Sequence, residues 1–215
     1  MSTPRTGPLH LRIESRYRRP IALGWVSLSP PELTLRVRVP SSDGCRALQV
    51  SLYTVSGDAS LRVDAGQASV QSVHGGLSIE GRFGTLEADT VSGDMSLLVE
   101  LAGDGAARTT SGDISGEIAI SGSSGGGGSI HLSTTSGDVE VEVWRGEGVR
   151  LLVHASTTSG RATLEDAGGG LNVTSATARE VSGGVGSPEE REFTLAAEST
   201  SGDVTIRYAG VRPAG

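Results

Sequence analysis

Aspartates that recur at one phase of a short repeat are the residues of this chain best placed to do chemistry. Asp94, Asp113 and Asp138 each follow a glycine, and Asp58 and Asp203 share this position. A column of carboxylates could bind Ca²⁺, because hard cations prefer several oxygen ligands. The favoured alternative is that each aspartate accepts turn N–H groups as a local cap. The sequence therefore predicts no metal site at these aspartates.

Two histidines and three glutamates also repeat in phase. His131 and His154 fall at the same position of consecutive units, so we expect their Cβ atoms about 5 Å apart on the outer face. Two imidazoles are half of a zinc site, but no Cys or Asp shares their row, and a solvent-exposed pair is favoured. Glu117, Glu142 and Glu165 predict an outward acidic stripe. We predict no catalytic residue and no cofactor.

A short repeat positions all of these residues. The pattern Thr54-Val55-Ser56-Gly57-Asp58 returns along the chain, and the residue two before its glycine is always β-branched, which suits a strand running into a turn. Glycine is present in every copy, as turns with positive φ would require. The eight turn glycines are Gly57, Gly75, Gly93, Gly112, Gly137, Gly160, Gly183 and Gly202.

Apolar residues alternate with mostly polar ones on both sides of each glycine, so each copy is predicted to form strand, turn and strand. The copies follow one another at intervals of 18 to 25 residues. We therefore predict an all-β, single-domain parallel β-helix (β-solenoid) of about eight coils. A sandwich or barrel is the alternative all-β fold. The solenoid is preferred because stacked coils align identical residues into ladders.

The repeats divide the chain into three parts. Residues 48–208 are predicted to form the solenoid, residues 1–47 an N-terminal arm with capping strands, and residues 209–215 a tail. Residues 121–129 are rich in Gly and Ser and indicate a surface loop. Val204 to Tyr208 is expected to be the last strand, with an open edge that allows weak self-association through the C-terminal coil.

Composition excludes several function classes. The formal net charge of −7 argues against nucleic-acid binding, and the absence of lysine excludes Schiff-base and P-loop chemistry. The apolar stretch at residues 21–28 is too short for a signal peptide or a membrane span. We therefore expect a cytoplasmic location and no transmembrane segment.

The unit Thr-Val/Thr-Ser-Gly-Asp-apolar-x-apolar, over about residues 48 to 208, resembles the bacterial β-strand-repeat family known as putative adhesins. The resemblance implies a right-handed parallel β-helix and supplies no catalytic residue. It implies a noncatalytic adhesin-like or scaffolding protein that presents a regular surface to a protein or cell-surface partner. One alternative is a self-assembling filament-type β-helix. Another is a carbohydrate-active β-helix enzyme using the pairs Asp113/Asp138 and Glu117/Glu142, although aromatics make up only 3% of the chain.

Overall fold

The fold consists of β-strands throughout the part of the chain that is described. The computed structural model describes residues 10–14, 48–121 and 126–212. These residues contain sixteen strands and no helix, so the all-β prediction is confirmed. The strands are β1 His10–Glu14, β2 Gln49–Ser56, β3 Ala59–Arg62, β4 Ala65–His74, β5 Leu77–Ser92, β6 Met95–Leu101, β7 Gly105–Ser111, β8 Ile114–Ile120, β9 Gly128–Ser136, β10 Val139–Arg145, β11 Val149–Ser159, β12 Ala162–Asp166, β13 Asn172–Ala176, β14 Glu180–Val185, β15 Arg191–Ser201 and β16 Val204–Val211.

Alternating side chains give each strand one inner and one outer face. In β10, Val139, Val141 and Val143 are at most 2% exposed, whereas Glu140 between them is exposed. The period of two and the β-branched residues favour an extended chain with one face in the core. A one-residue slip would bring Glu140 and Glu142 inward, so this pattern also fixes the register.

Two parallel ladders, one on each side of the glycine turns, make up the stack. Ladder A contains, in spatial order, β1, β2, β4, the second half of β5, β7, β9, β15 and β11. Ladder B contains β3, the first half of β5, β6, β8, β10, β16 and β12. Strand β5 is long because it belongs to both ladders.

A single apolar core lies between the two ladders. Ladder A contributes small side chains such as Ala88, Ala155 and Ala197, which are fully buried. Phe83 and Tyr208 are among the largest fully buried side chains. The predominance of small inward residues permits the close approach of two sheets, and the few large ones fill the remaining width.

The last coil of the chain lies inside the stack and not at its end. Strand β15 pairs with β9 on one side and β11 on the other, and β16 pairs with β10 and β12. The prediction that Val204 to Tyr208 form an unpaired last strand was therefore wrong. The physical reason is that strands β13 and β14, which precede residue 191 in the chain, already cover the free edge of β11.

The cap is a hairpin of β13 and β14. Strand β14 runs antiparallel to β11, and β13 runs antiparallel to β14. Val181 and Val185 are 5% and 7% exposed, so the hairpin buries apolar side chains at this end. The seventh predicted unit is thus not a coil, and its predicted turn glycine Gly183 lies within β14.

Several of the predicted segment boundaries differ from the observed ones or lie outside the described residues. Strand β1 pairs in parallel with β2, while the rest of the N-terminal arm predicted for residues 1–47 is outside the described residues. So is part of the Gly/Ser-rich loop, at residues 122–125. Strand β16 continues to Val211, three residues beyond residue 208, where the solenoid was predicted to end.

Candidate functional site

The first residue of the repeat uses its hydroxyl to join two coils. In four coils this hydroxyl donates to the carbonyl oxygen of the turn glycine one coil earlier in the stack. These side chains are only 3 to 7% exposed, so the bonds are shielded from water. The bonds are Thr109 Oγ1 to Gly93 O at 3.3 Å, Thr134 Oγ1 to Gly112 O at 3.0 Å, Ser199 Oγ to Gly137 O at 2.9 Å and Thr157 Oγ1 to Gly202 O at 2.8 Å.

The turn glycines form a column in which each backbone closely approaches the next. Gly112 has φ +149°, and a Cβ placed on it would lie less than 3.0 Å from the carbonyl group of Gly93. The same overlap recurs at each step, so the turn requires glycine both for its conformation and for stacking. The column runs Gly57, Gly75, Gly93, Gly112, Gly137, Gly202, Gly160, and the first six have positive φ.

The aspartate after the glycine also joins coils. Its Oδ1 accepts the backbone N–H of the equivalent residue in the next coil, at 2.7 to 3.0 Å. The predicted local cap was therefore wrong, because the donor belongs to a different coil. The bonds link Gly76 N to Asp58, Asp113 N to Asp94, Asp138 N to Asp113, Asp203 N to Asp138 and Arg161 N to Asp203.

The last coil of the chain, formed by β15 and β16, separates the two histidines; we call it the inserted coil. His131 is paired with Ala196 of β15, and His154 is paired with the same residue from the other side. The two histidines are therefore two strand spacings, about 10 Å, apart and not about 5 Å. No group of three or more His, Cys, Asp or Glu side chains able to hold a metal ion occurs among residues 48–121 and 126–212.

An arginine of the inserted coil interrupts the predicted acidic stripe. Arg207 lies between Glu142 and Glu165 in ladder B, and its Nε donates to Glu165 Oε2 at 3.0 Å. This hydrogen bond, with the negative charges of Glu165, Glu142 and Glu140, raises the pKa of Arg207. Since an arginine is already cationic at ordinary pH, Arg207 places a positive charge between Glu142 and Glu165, whereas Glu117 and Glu142 remain neighbours.

The outward-facing residue two before each glycine forms a long exposed row, which we call the outer β-branched column. Val55 and Val91 in it are 53% and 50% exposed. The four threonines of the column are also exposed, whereas Val73 is half-buried. The sequence identified these positions as β-branched but did not indicate that they face solvent. The column consists of Val55, Val73, Val91, Thr110, Thr135, Thr200 and Thr158.

The stacked coils and their repeated turns define a β-solenoid-like protein, and the match to a family model agrees. The chain belongs to the Toastrack DUF4097 family, whose model matches residues 24–207. A solved structure described as a "putative cell adhesion protein" from Clostridium sporogenes is 7% identical, covers 74% of this chain and 91% of its own, and has a TM-score of 0.38. The search of curated proteins returns no match.

The family match supports the predicted kind of fold, and the repeat-specific resemblance remains a prediction. Within the described part of the chain, no helix is long and apolar enough to span a membrane.

Proposed function

We propose that this protein is a noncatalytic, adhesin-like scaffold that presents a regular surface to a protein or cell-surface partner. The observation that supports this proposal is the use of the repeated residues. The hydroxyl of Thr134, the backbone of Gly112 and the carboxylate of Asp113 all contact neighbouring coils. A motif whose polar groups bond to neighbouring coils is suited to building a regular surface. Its polar side chains are already used in these bonds and are not free to act on a substrate.

The outer β-branched column is the proposed contact face. Its side chains recur at the strand spacing of about 4.8 Å along ladder A. Short β-branched side chains lose little rotamer entropy when a partner covers them, because they are already restricted at χ1. The column thus offers an ordered, partly apolar surface with a hydroxyl on four of its seven side chains.

The alternatives gain no support. Filament growth from the C-terminal strand would need a free edge, but β16 is paired on both sides. Of the carboxylate pairs considered for glycoside hydrolysis, Asp113 and Asp138 each accept a backbone N–H of the adjacent coil. Right-handed winding is part of our proposal, and the cytoplasmic location stays a prediction.

A binding assay with matched surface variants tests the proposal. Purified protein is titrated onto envelopes of the cells that produce it, and the Thr135→Glu/Thr200→Glu variant is compared with Ser60→Glu/Ser78→Glu, which adds the same charge to exposed outward positions of ladder B. We expect the first variant to bind at least about tenfold more weakly than the second. Equal binding by both variants, or hydrolysis of a glycan by the wild-type protein, would contradict it.

A further inference from the structure

The last coil occupies a slot between two coils that precede it in the chain. We call residues 191–211 the C-terminal coil and define the slot as the space between residues 128–145 and residues 149–166. Both strands of this coil are paired on both edges with strands of the slot. The coil is therefore held by four strand pairings, although a single peptide segment connects it to the cap.

That segment, residues 186–190, passes around the start of β11, and we call it the hinge. Strand β14 lies on one side of β11 and β15 on the other, so the hinge spans about two strand spacings, or about 10 Å. Gly186 has φ +103°, and residues 186–189 are exposed. Within the segment, Ser187 N donates to Glu190 Oε2 at 2.8 Å and Glu190 N donates to Ser187 O at 3.0 Å, so its own hydrogen bonds close a local turn that can open without breaking the ladders.

We propose that a second copy of this chain donates its C-terminal coil to the slot, giving a dimer in which the two copies exchange their C-terminal coils. Every bond between coil and slot has an equivalent in such a dimer, and only the hinge changes conformation. The bonds concerned include Ser199 Oγ to Gly137 O at 2.9 Å and Asp203 N to Asp138 Oδ1 at 2.7 Å.

The side chains of the coil identify the occupant as a copy of the same sequence. Phe193, Leu195, Ile206 and Tyr208 enter the core and are at most 1% exposed. The turn must also supply a hydroxyl, a glycine and an aspartate at fixed positions to continue the ladders on both sides. A strand of unrelated sequence would leave cavities or unpaired polar groups in the slot.

Arg145 connects the coil, the slot and the hinge. Its Nε donates to Tyr208 Oη at 2.9 Å, and its Nη1 donates to Val149 O at 2.8 Å. The same Nη1 lies 3.6 Å from Glu190 Oε2 at the end of the hinge. Release of the coil would break the bond to Tyr208 together with the four strand pairings, so exchange takes place while the chain folds and is slow once it has folded.

The length of the hinge provides the first test. Deletion of residues 187–189 leaves two hinge residues, which reach about 11 Å at most and must still pass around β11. We expect this variant to sediment as a dimer, and a variant with three Gly/Ser residues inserted after Pro188 to sediment as a monomer. A folded deletion variant that remains monomeric at millimolar concentration would overturn the proposal.

A disulfide distinguishes coil exchange from simple surface association. Glu140 and Thr205 are paired across β10 and β16, so cysteines at both positions can form a disulfide. In a Cys45→Ser background, oxidation of an exchanged dimer gives a covalent dimer on a non-reducing gel. An associated dimer gives only internally closed monomers, a result that would reject exchange.

A chain with the native hinge supplies the result if the deletion variant does not fold. The Glu140→Cys/Thr205→Cys variant with the native hinge, again in the Cys45→Ser background, is refolded from denaturant at micromolar and at millimolar concentration, and then oxidised. We expect the covalent dimer to increase with the concentration during refolding. No covalent dimer at any concentration would contradict the proposal.

Discussion

One turn of the stack shows what each residue of the repeat contributes to stability, because Thr134, Gly112 and Asp113 meet there. Thr134 donates its hydroxyl hydrogen to Gly112 O, and Asp113 accepts the N–H of Asp138. The need for glycine at the turn could be predicted from the sequence, since few other residues adopt positive φ. The hydrogen-bond partners of Thr134 and Asp113 could not be predicted, because a repeat does not identify which coil supplies the donor or acceptor.

Thr134 and Thr90 allow the hydroxyl contribution to be measured. Thr134→Val removes a buried hydrogen bond and should lower the free energy of unfolding by about 1 kcal/mol. The hydroxyl of Thr90 is buried without a hydrogen-bond partner, so Thr90→Val should be neutral or stabilising. Urea denaturation of the two variants gives the comparison, and equal losses would refute the role assigned to the hydroxyl.

Gly112→Ala should destabilise the fold by at least about 2 kcal/mol. The added methyl group meets the carbonyl of Gly93, and alanine at φ +149° is strained. Gly126 is the matched control, since nothing lies within 4 Å of a Cβ placed there, and Gly126→Ala should change stability by less than about 0.5 kcal/mol. Similar melting temperatures for the two variants would disprove close stacking at the turns.

At the scale of the strands, the alternating pattern predicted the strands and their buried faces, but not which strands are neighbours. The prediction for His131 and His154 failed for this reason: both lie on the expected outer face, and β15 lies between them. Arg207 likewise enters the glutamate row only because β16 is inserted there. Periodicity depends on the local chain, whereas neighbouring strands depend on the path of the whole chain.

The row of aspartates has one gap, at Gly76, which offers a stabilising substitution. Gly76 has no side chain to accept the N–H of Asp94, as the aspartates do elsewhere in the row. A Cβ at Gly76 would make only ordinary contacts at 3.5 Å. Gly76→Asp should therefore be more stable than Gly76→Ala by about 0.5 to 1 kcal/mol.

Gly76→Ala is the control for this comparison because it removes the same glycine flexibility without adding a carboxylate. Thermal unfolding at moderate salt, which screens repulsion between neighbouring aspartates, measures the difference. An aspartate variant less stable than the alanine variant would show that the carboxylate does not complete the row.

For the molecule as a whole, the order in which the coils stack is the feature that could not be predicted from the repeat pattern. Ser136, Ser201 and Ser159 belong to nearly identical motifs, so the turns near residues 136, 159 and 201 could stack in either order with the same register. The cap makes the difference: β13 and β14 cover the free side of β11 before the C-terminal coil is reached. The coil is then paired on both sides, and its unpaired edges are removed.

A pair of engineered disulfides tests this order most directly. Ser133 is paired with Glu198, and Glu198 with Ser156, so the coil of β15 separates the two serines. In a Cys45→Ser background, Ser133→Cys/Glu198→Cys should oxidise readily, since neighbouring strands are about 4.8 Å apart. Ser133→Cys/Ser156→Cys should remain reduced, because about 10 Å is too far for a disulfide. Rapid closure of the second pair, with the first pair remaining reduced, would show that the coils stack in the order of the sequence and would contradict the inserted coil.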